Sequence, residues 1–391
     1  MVTWAHSVYG GMPMHGGIRS RGLRPLVRAI AAGIACFALV SVVGPLGASA
    51  GVGQTDMDTL VAAARQEGVV VMYGPRGLAE LPNILKARFE AEYGIRVEYL
   101  NEDGPPAWLD RVPRERAAGQ YNWDVLFGGA DTLMFNAKAA GLIDHITPAL
   151  VDPTVADPRY WQGGRIPYID TEDYVLPVLA AAGQSFWVNT AKASPSDITS
   201  YHDLLDPRWR GQIVFANDPR TSGSGRTTLT FLYGLPGFGA DFIRQFVQQQ
   251  ELRIGSNDDE VAAMLSAHDF ALCVCNRASI ELLGNQGVTM AGLDSHRIRE
   301  GGSLNSSFAN FSMMNHPAHP NAAKLYANWV LSQRVGQALV SLTEIPSMRA
   351  DVDNSRLPLE NLPEPGWVFT NTEASLTQSR EVVDLITPLL R

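Results

Sequence analysis

Cysteine is scarce in this chain, with three in 391 residues. A chain of this length does not need a disulfide framework and can rest on hydrophobic cores. Basic residues are also outnumbered: 31 Lys and Arg against 40 Asp and Glu leave a net charge of −9. That balance excludes nucleic acid and anionic membrane surfaces as natural partners. It does not exclude a small anionic ligand, which a few local arginines can hold. The sequence has no G-x-S-x-G elbow, H-E-x-x-H, P-loop or dinucleotide fingerprint, so nothing in it points to those chemistries. Internal repeats, low-complexity tracts and coiled-coil heptads are absent too.

One long apolar run is present, Ala29–Leu46, and it sits where it matters. Four arginines (Arg19, Arg21, Arg24 and Arg28) precede it with no acidic residue, and Ala48-Ser49-Ala50 follows it. Basic start, apolar stretch and small-x-small site describe a secretory signal peptide cleaved after Ala50. A retained anchor fits less well, because Gly44, Pro45 and Gly47 break the run where a peptidase needs extended chain. Cys36 lies in the middle of the run and does not suit lipid attachment. Residues 1–50 are therefore expected to be a signal peptide with an N-terminal extension. The 341 residues left of the 391 carry 27 basic and 40 acidic side chains, a balance of −13. A chain of that length exceeds what one core usually serves, so two lobes are expected.

Only Cys273 and Cys275 remain in the mature chain. On a strand their Cα atoms stand about 6.6 Å apart, at the upper edge of disulfide geometry, so two buried thiols are expected.

The periodicity reads as alternating helix and strand. A helix over Thr55–Glu67 stops at Gly68, and Val69–Tyr73 is a buried strand between glycines. Leu78, Leu81, Leu85 and Phe89 follow helical spacing to Gly94. Strands at Ile95–Leu100 and Asp124–Phe127 alternate with helices at Pro106–Ala118 and Asp131–Ala140, an order that implies a parallel sheet. After an irregular stretch over 144–173, strand-like segments at Tyr174–Leu179 and Gln184–Asn189 carry the chain toward a second lobe. There, strands at Ile213–Ala216, Phe270–Cys275 and Val288–Ala291 alternate with helices from Gly225, Ala240, Asp258 and Ala278. The helix Pro320–Ser332 and those after it are expected to return to the first lobe. The expected division is 51–178 plus 292–391 for lobe 1 and 179–291 for lobe 2.

Four segments carry a family likeness. Tyr201–Pro219, YHDLLDPRWRGQIVFANDP, resembles the DL-x-DP-x-W-x-G-x-I pattern of family 1 extracellular solute-binding proteins, in the branch that includes ferric-iron binders. VVVMYGPRG…FEAEYGIRVEY (69–99), WDVLFGGADTLMFNAKAAGLI (123–143) and HPNAAKLYANWVLSQRVGQAL (319–339) are similar to the same family, in the same order. The resemblance spans nearly all of 55–350. It implies an α/β, two-lobed type 2 periplasmic-binding-protein fold with a ligand cleft between the lobes. It also implies a periplasmic or otherwise extracytoplasmic monomer that delivers a small-molecule solute to an ABC permease, without catalysis and without a cofactor.

Open parallel sheets place ligands beyond the carboxyl ends of strands, where helix N-termini point. Three stretches qualify. The first is Tyr73-Gly74-Pro75-Arg76-Gly77, with Tyr73 to cover a ligand, Gly74 to admit it and Arg76 to grip an anion bidentately. The second is Gly128–Thr132, with Gly129 and Asp131. The third runs from Asn217 to Arg226, with Ser222, Gly223, Ser224 and Arg226. Asn276 and Arg277 follow a second-lobe strand at the point where, by the resemblance, iron binders carry an adjacent tyrosine pair. An amide and a cation cannot replace two phenolates for a hard ferric ion. The expected solute is therefore a small organic anion, a carboxylate, phosphate or phosphonate, with ferric iron as the alternative. A secreted enzyme and a sensor partner rank lower. No metal site is expected: His316 and His319 stand among prolines without a third ligand, and Ser256–Glu260 fits a helix cap.

Overall fold

The computed structural model describes residues 52–74, 80–100, 104–128, 131–183, 186–221, 223–256, 258–267, 270–306, 309–364 and 366–390. The signal-peptide reading falls on residues 1–50, outside that set. No helix among the described residues is long and apolar enough to cross a membrane.

The chain begins with α1 (Val52–Glu67), β1 (Val69–Tyr73), α2 (Glu80–Tyr93), β2 (Arg96–Leu100), α3 (Pro105–Ala117), β3 (Val125–Gly128), α4 (Asp131–Ala139) and β4 (Ile143–Asp144). A short α5 (Pro153–Ala156), β5 (Leu176–Pro177) and β6 (Ala181–Gly183) follow. The next group is β7 (Trp187–Asn189), β8 (Ile213–Phe215), α6 (Ser224–Gly234), α7 (Gly239–Gln249), β9 (Arg253–Ile254), α8 (Asp258–Ser266), β10 (Leu272–Val274), α9 (Arg277–Asn285) and β11 (Met290–Gly292). The last group is β12 (Ser303–Asn305), β13 (Asn310–Met314), α10 (Pro320–Val330), α11 (Gln333–Thr343), β14 (Val368–Phe369) and α12 (Glu373–Ile386).

Two sheets, each with its own buried clusters, make two lobes. In the first, β1 pairs in parallel with β2 and β3, Val69 opposite Arg96 and Met72 opposite Val125. β13 then lies antiparallel beside β3, Asn310 opposite Gly128 and Met313 opposite Val125. The parallel sheet expected from the β-α-β-α order is thus a mixed one. β13 escaped notice because NFSMM is short and alternates polar with apolar residues, although all five are buried. Phe89 of α2 meets Tyr326 and Trp329 of α10 at ring-centroid distances of 5.0 and 5.1 Å. Burial of aromatic and aliphatic side chains of this size is worth about 1.5–3 kcal/mol each.

The second sheet runs β11-β7-β10-β8-β9, with β8, β9 and β10 parallel. Its core takes in Tyr201, Leu204 and Trp209 of the DL-x-DP-x-W segment. That motif is therefore chiefly a packing and capping device. Ser200 and Asp203 form a capping box, and Asp206 caps the turn that carries Trp209. α12 corrects the expectation that every late helix returns to lobe 1. Val382 and Ile386 are buried in the lobe 2 core, while α10 and α11 pack in lobe 1 as expected. Cys273 and Cys275 are joined as a disulfide, not left as thiols, with Cα atoms 5.4 Å apart. The strand geometry behind the other expectation lapses because β10 ends at Val274.

β12 pairs antiparallel with β6 and parallel with β14, forming a small sheet where the chain crosses between lobes. The register fixes what those crossings join. In lobe 1, β5 ends and β13 begins beside Gly128, at the carboxyl end of β3: Asn310 lies opposite both Gly128 and Pro177. In lobe 2, β7 begins and β11 ends at Trp187, which pairs with Cys273 near the carboxyl end of β10. Both crossings therefore tie the carboxyl edge of one sheet to the carboxyl edge of the other.

Candidate functional site

The two carboxyl edges carry the starts of α2, α3 and α4 in lobe 1 and of α6, α8 and α9 in lobe 2. On the lobe 1 side, Gly74 is held closely. A Cβ there would stand 2.1 Å from the Phe127 carbonyl oxygen and 3.1 Å from the Tyr99 ring, so only glycine fits. The Tyr99 hydroxyl donates to the Gly74 carbonyl at 3.1 Å. Tyr73, expected over a ligand, is instead a core residue with 1% exposure. Its ring stacks on Trp108 at 4.8 Å and meets Trp123 edge-on at 5.7 Å. The period-2 alternation of β1 aims it into the layer beneath α3, not toward the edge. Arg76 and Gly129 lie outside the described residues, and Asp131 begins α4.

On the lobe 2 side the segment 217–226 is a fixed loop. Asp218 accepts from the Arg220 amide at 2.9 Å and from its guanidinium, which holds the Asp218 carboxyl below its usual range. Gly223 has φ 88°, and a Cβ there would meet Asn217 Oδ1 at 2.5 Å. It stands at the N-cap of α6 with no side-chain cap, so the first amides of that eleven-residue helix have no side-chain acceptor from the cap position. Ser224 Oγ is part-buried and donates to Asn217 Oδ1 at 3.4 Å and to the Val274 carbonyl at 3.3 Å. Arg226, expected to reach a ligand, braces the loop instead: Nε donates to the Pro219 carbonyl at 3.2 Å and Nη2 to that of Arg220. Ser222 lies outside the described residues.

Asn276 caps α9, accepting from the Ser279 amide at 2.9 Å and from its hydroxyl at 3.1 Å. Its residue is exposed at the end of β10, and Arg277 opens the helix. Gly74, Gly223, Ser224 and Asn276 thus stand on the joined edges, whereas Tyr73 and Arg226 are committed to packing and bracing.

Sequence reasoning missed Asn310. It is 0% exposed and lies opposite Gly128, and neither of its amide atoms has a hydrogen-bond partner among the described residues. Such a group is rare in a folded interior. A buried polar residue opposite a strand-end glycine leaves no signal in one sequence unless the pairing is known. His319 is explained without metal: its amide and Nδ1 both bond Asp124, at 2.7 and 2.8 Å. No group of three or more His, Cys, Asp or Glu suited to a metal ion occurs among the described residues. Glu260 accepts from the Ser256 amide at 2.8 Å, the cap expected of that segment.

Comparison with known proteins places these features in context. The model of a family described as bacterial extracellular solute-binding protein matches residues 85–361. Iron uptake protein A1 of Synechocystis is 24% identical over 132 residues, 34% of this chain and 33% of that protein. The match thus spans about a third of the relative's length. A solved Trichodesmium protein, IdiA or FutA with iron and citrate, superimposes with a TM-score of 0.59 at 15% identity, covering 82% of this chain and 99% of that one. A putative extracellular solute-binding protein from Bordetella parapertussis gives 0.59 at 14% identity, covering 83% and 100%. At such identities the likeness speaks for the fold.

Proposed function

The chain belongs to the bacterial extracellular solute-binding protein family, and from that premise we propose that it captures a small organic anion between its lobes and hands it to an ABC permease. The observation that carries the reading is the strand register. Both crossings join carboxyl edge to carboxyl edge, so the helix starts of the two sheets border one interlobe cleft. Helix N-termini favour anionic atoms by about 0.3–1 kcal/mol each. The uncapped start of α6 offers backbone amides beside Gly223, where no side chain intrudes. Arg76 and Arg277 follow the ends of β1 and β10 in sequence, and each supplies a guanidinium that can pair with carboxylate or phosphate oxygens. Asn310 adds, beside the carboxyl end of β3, a buried amide without a hydrogen-bond partner among the described residues. One or two charge-assisted hydrogen bonds at about 1.5–3 kcal/mol each, less the cost of closure, suit a Kd on the order of micromolar.

Ferric iron is the second reading, favoured by the iron uptake relative and the iron-bound Trichodesmium structure. Its weakness lies in the donor set. β10 is followed by Asn276 and Arg277, and Tyr73 is enclosed in the core. Hard ferric ion wants phenolates or carboxylates. Calorimetry separates the two. Citrate and a panel of carboxylates, phosphates and phosphonates are titrated into iron-free protein, and ferric citrate is titrated separately. The proposal expects saturable heat from a metal-free anion at one per chain. Tight binding of ferric citrate alone, with a visible phenolate-to-iron absorption band, would transfer the conclusion to iron.

A further inference from the structure

A second cavity lies beside the small crossing sheet, on the β14 side. Its volume is about 350 Å³, and neither Gly74, Gly223 nor Asn276 lines it. Its walls come from both lobes: the segment 165–171 of the first, the end of α6 in the second, and β14 with the start of α12.

Two polar side chains without hydrogen-bond partners among the described residues line it. Thr230 lines it too, but it is 5% exposed and its hydroxyl is enclosed in the wall. Arg165 lines the cavity with a guanidinium that forms no ion pair or hydrogen bond among the described residues. Gln378 lies against Gly234, where a Cβ would stand 3.2 Å from its amide oxygen. A side chain at 234 would push that amide out of the wall.

The charge around the space is chosen. Asp170, an acid on the lining, is neutralised by Lys138 at 3.0 Å and bonded by the Tyr174 and Val175 amides. The start of α12 borders it as well, already capped by Thr372 and carrying Glu373, which Lys138 pairs at 2.8 Å. Phe231, Trp367 and Phe369 supply apolar walls. A guanidinium and an amide beside aromatic walls match a carboxylate on a small apolar body.

We propose that this cavity is a second ligand site, for a small amphipathic carboxylate, bound at once by Arg165 of lobe 1 and by Gln378 of α12, which packs in the lobe 2 core. A guest held by both lobes resists their relative movement, so occupancy sets the ease of closure at the main cleft. The site stands whether or not the cleft takes an organic anion.

Benzoate is the probe, titrated into the purified protein by calorimetry, with benzyl alcohol as its uncharged counterpart. Tryptophan fluorescence is followed in parallel, using Trp367→Phe to isolate the indole in the wall. Benzoate is expected to saturate at one per chain and to change a signal that Trp367→Phe removes, while benzyl alcohol does not saturate. Arg165→Gln, at an exposed position, weakens benzoate tenfold or more, and Gln378→Ala weakens it severalfold. Arg76→Ala, assigned to the main cleft, leaves benzoate unaffected. Equal behaviour of benzoate and benzyl alcohol overturns the proposal. So does benzoate binding that survives both Arg165→Gln and Gln378→Ala, or that Arg76→Ala abolishes while Arg165→Gln does not.

Discussion

Replacing Lys138 with methionine tests how the crossing region is fastened. The Lys138 ammonium reaches Asp170 at 3.0 Å, Glu172 at 3.2 Å and Glu373 at 2.8 Å, joining α4, the 165–173 segment and α12. The Asp170 side chain is 0% exposed and Lys138 only 12%. Removing one partner of a buried pair costs about 3–5 kcal/mol, because the other charge stays buried. Here Asp170 keeps amide donors from Tyr174 and Val175, and Glu172 is 53% exposed, which softens the loss. About 2–3 kcal/mol is expected, read as a lower urea midpoint at unchanged slope. Acid adds a second reading. Burial pushes the Glu373 carboxyl up, but Lys138 and the Thr171 amide and hydroxyl pull it further down, below its ordinary 4.5. A depressed carboxyl contributes stability that is complete above the unfolded value and lost as pH falls through the folded one. The wild type should therefore lose stability below about pH 4.5 more steeply than Lys138→Met, in urea melts at stepped pH. A midpoint change worth under about 0.5 kcal/mol, the range of ordinary surface changes, would refute the assignment of this cluster as a fastening.

Gly74→Ala brings a methyl to within 2.1 Å of the Phe127 carbonyl, which is backbone and cannot swing aside; a loss of about 2 kcal/mol or more in denaturant melts is expected. Asn310→Leu removes a buried amide with no partner among the described residues, so it should leave stability unchanged or raise it by about 1 kcal/mol. The same change should weaken the captured solute, a divergence that calorimetry beside thermal melts would reveal. Arg76→Ala should weaken the solute tenfold or more, about 1.4 kcal/mol, with little change in melting temperature; an unaltered affinity removes Arg76 from the site.

Much of the architecture was legible in local patterns. Val69–Tyr73 reads as a strand because glycines bound an apolar run, and it is one. The starts of α4, α8 and α10 fall where Asp131, Asp258 and Pro320 announce them. What depended on distant partners was not legible. β13 enters lobe 1 from 182 residues beyond the end of β3, and α12 joins the lobe 2 core through Val382 and Ile386. The site divided likewise. Gly74 and Gly223 were legible because what each needs, a close backbone approach or a positive φ, is local, while Gly129 lies outside the described residues. Tyr73 and Arg226 carry suitable chemistry, yet a ring stack and two loop carbonyls occupy them. Asn310 was invisible because its meaning comes from an antiparallel register.

The central claim, an organic anion held between the lobes, is tested most directly by native mass spectrometry of the protein purified without added ligand or chelator. The expected spectrum shows one bound guest of organic mass per chain, shed on unfolding and much reduced in Arg76→Ala. A guest whose mass and isotope pattern are those of iron, retained by Arg76→Ala, would contradict it.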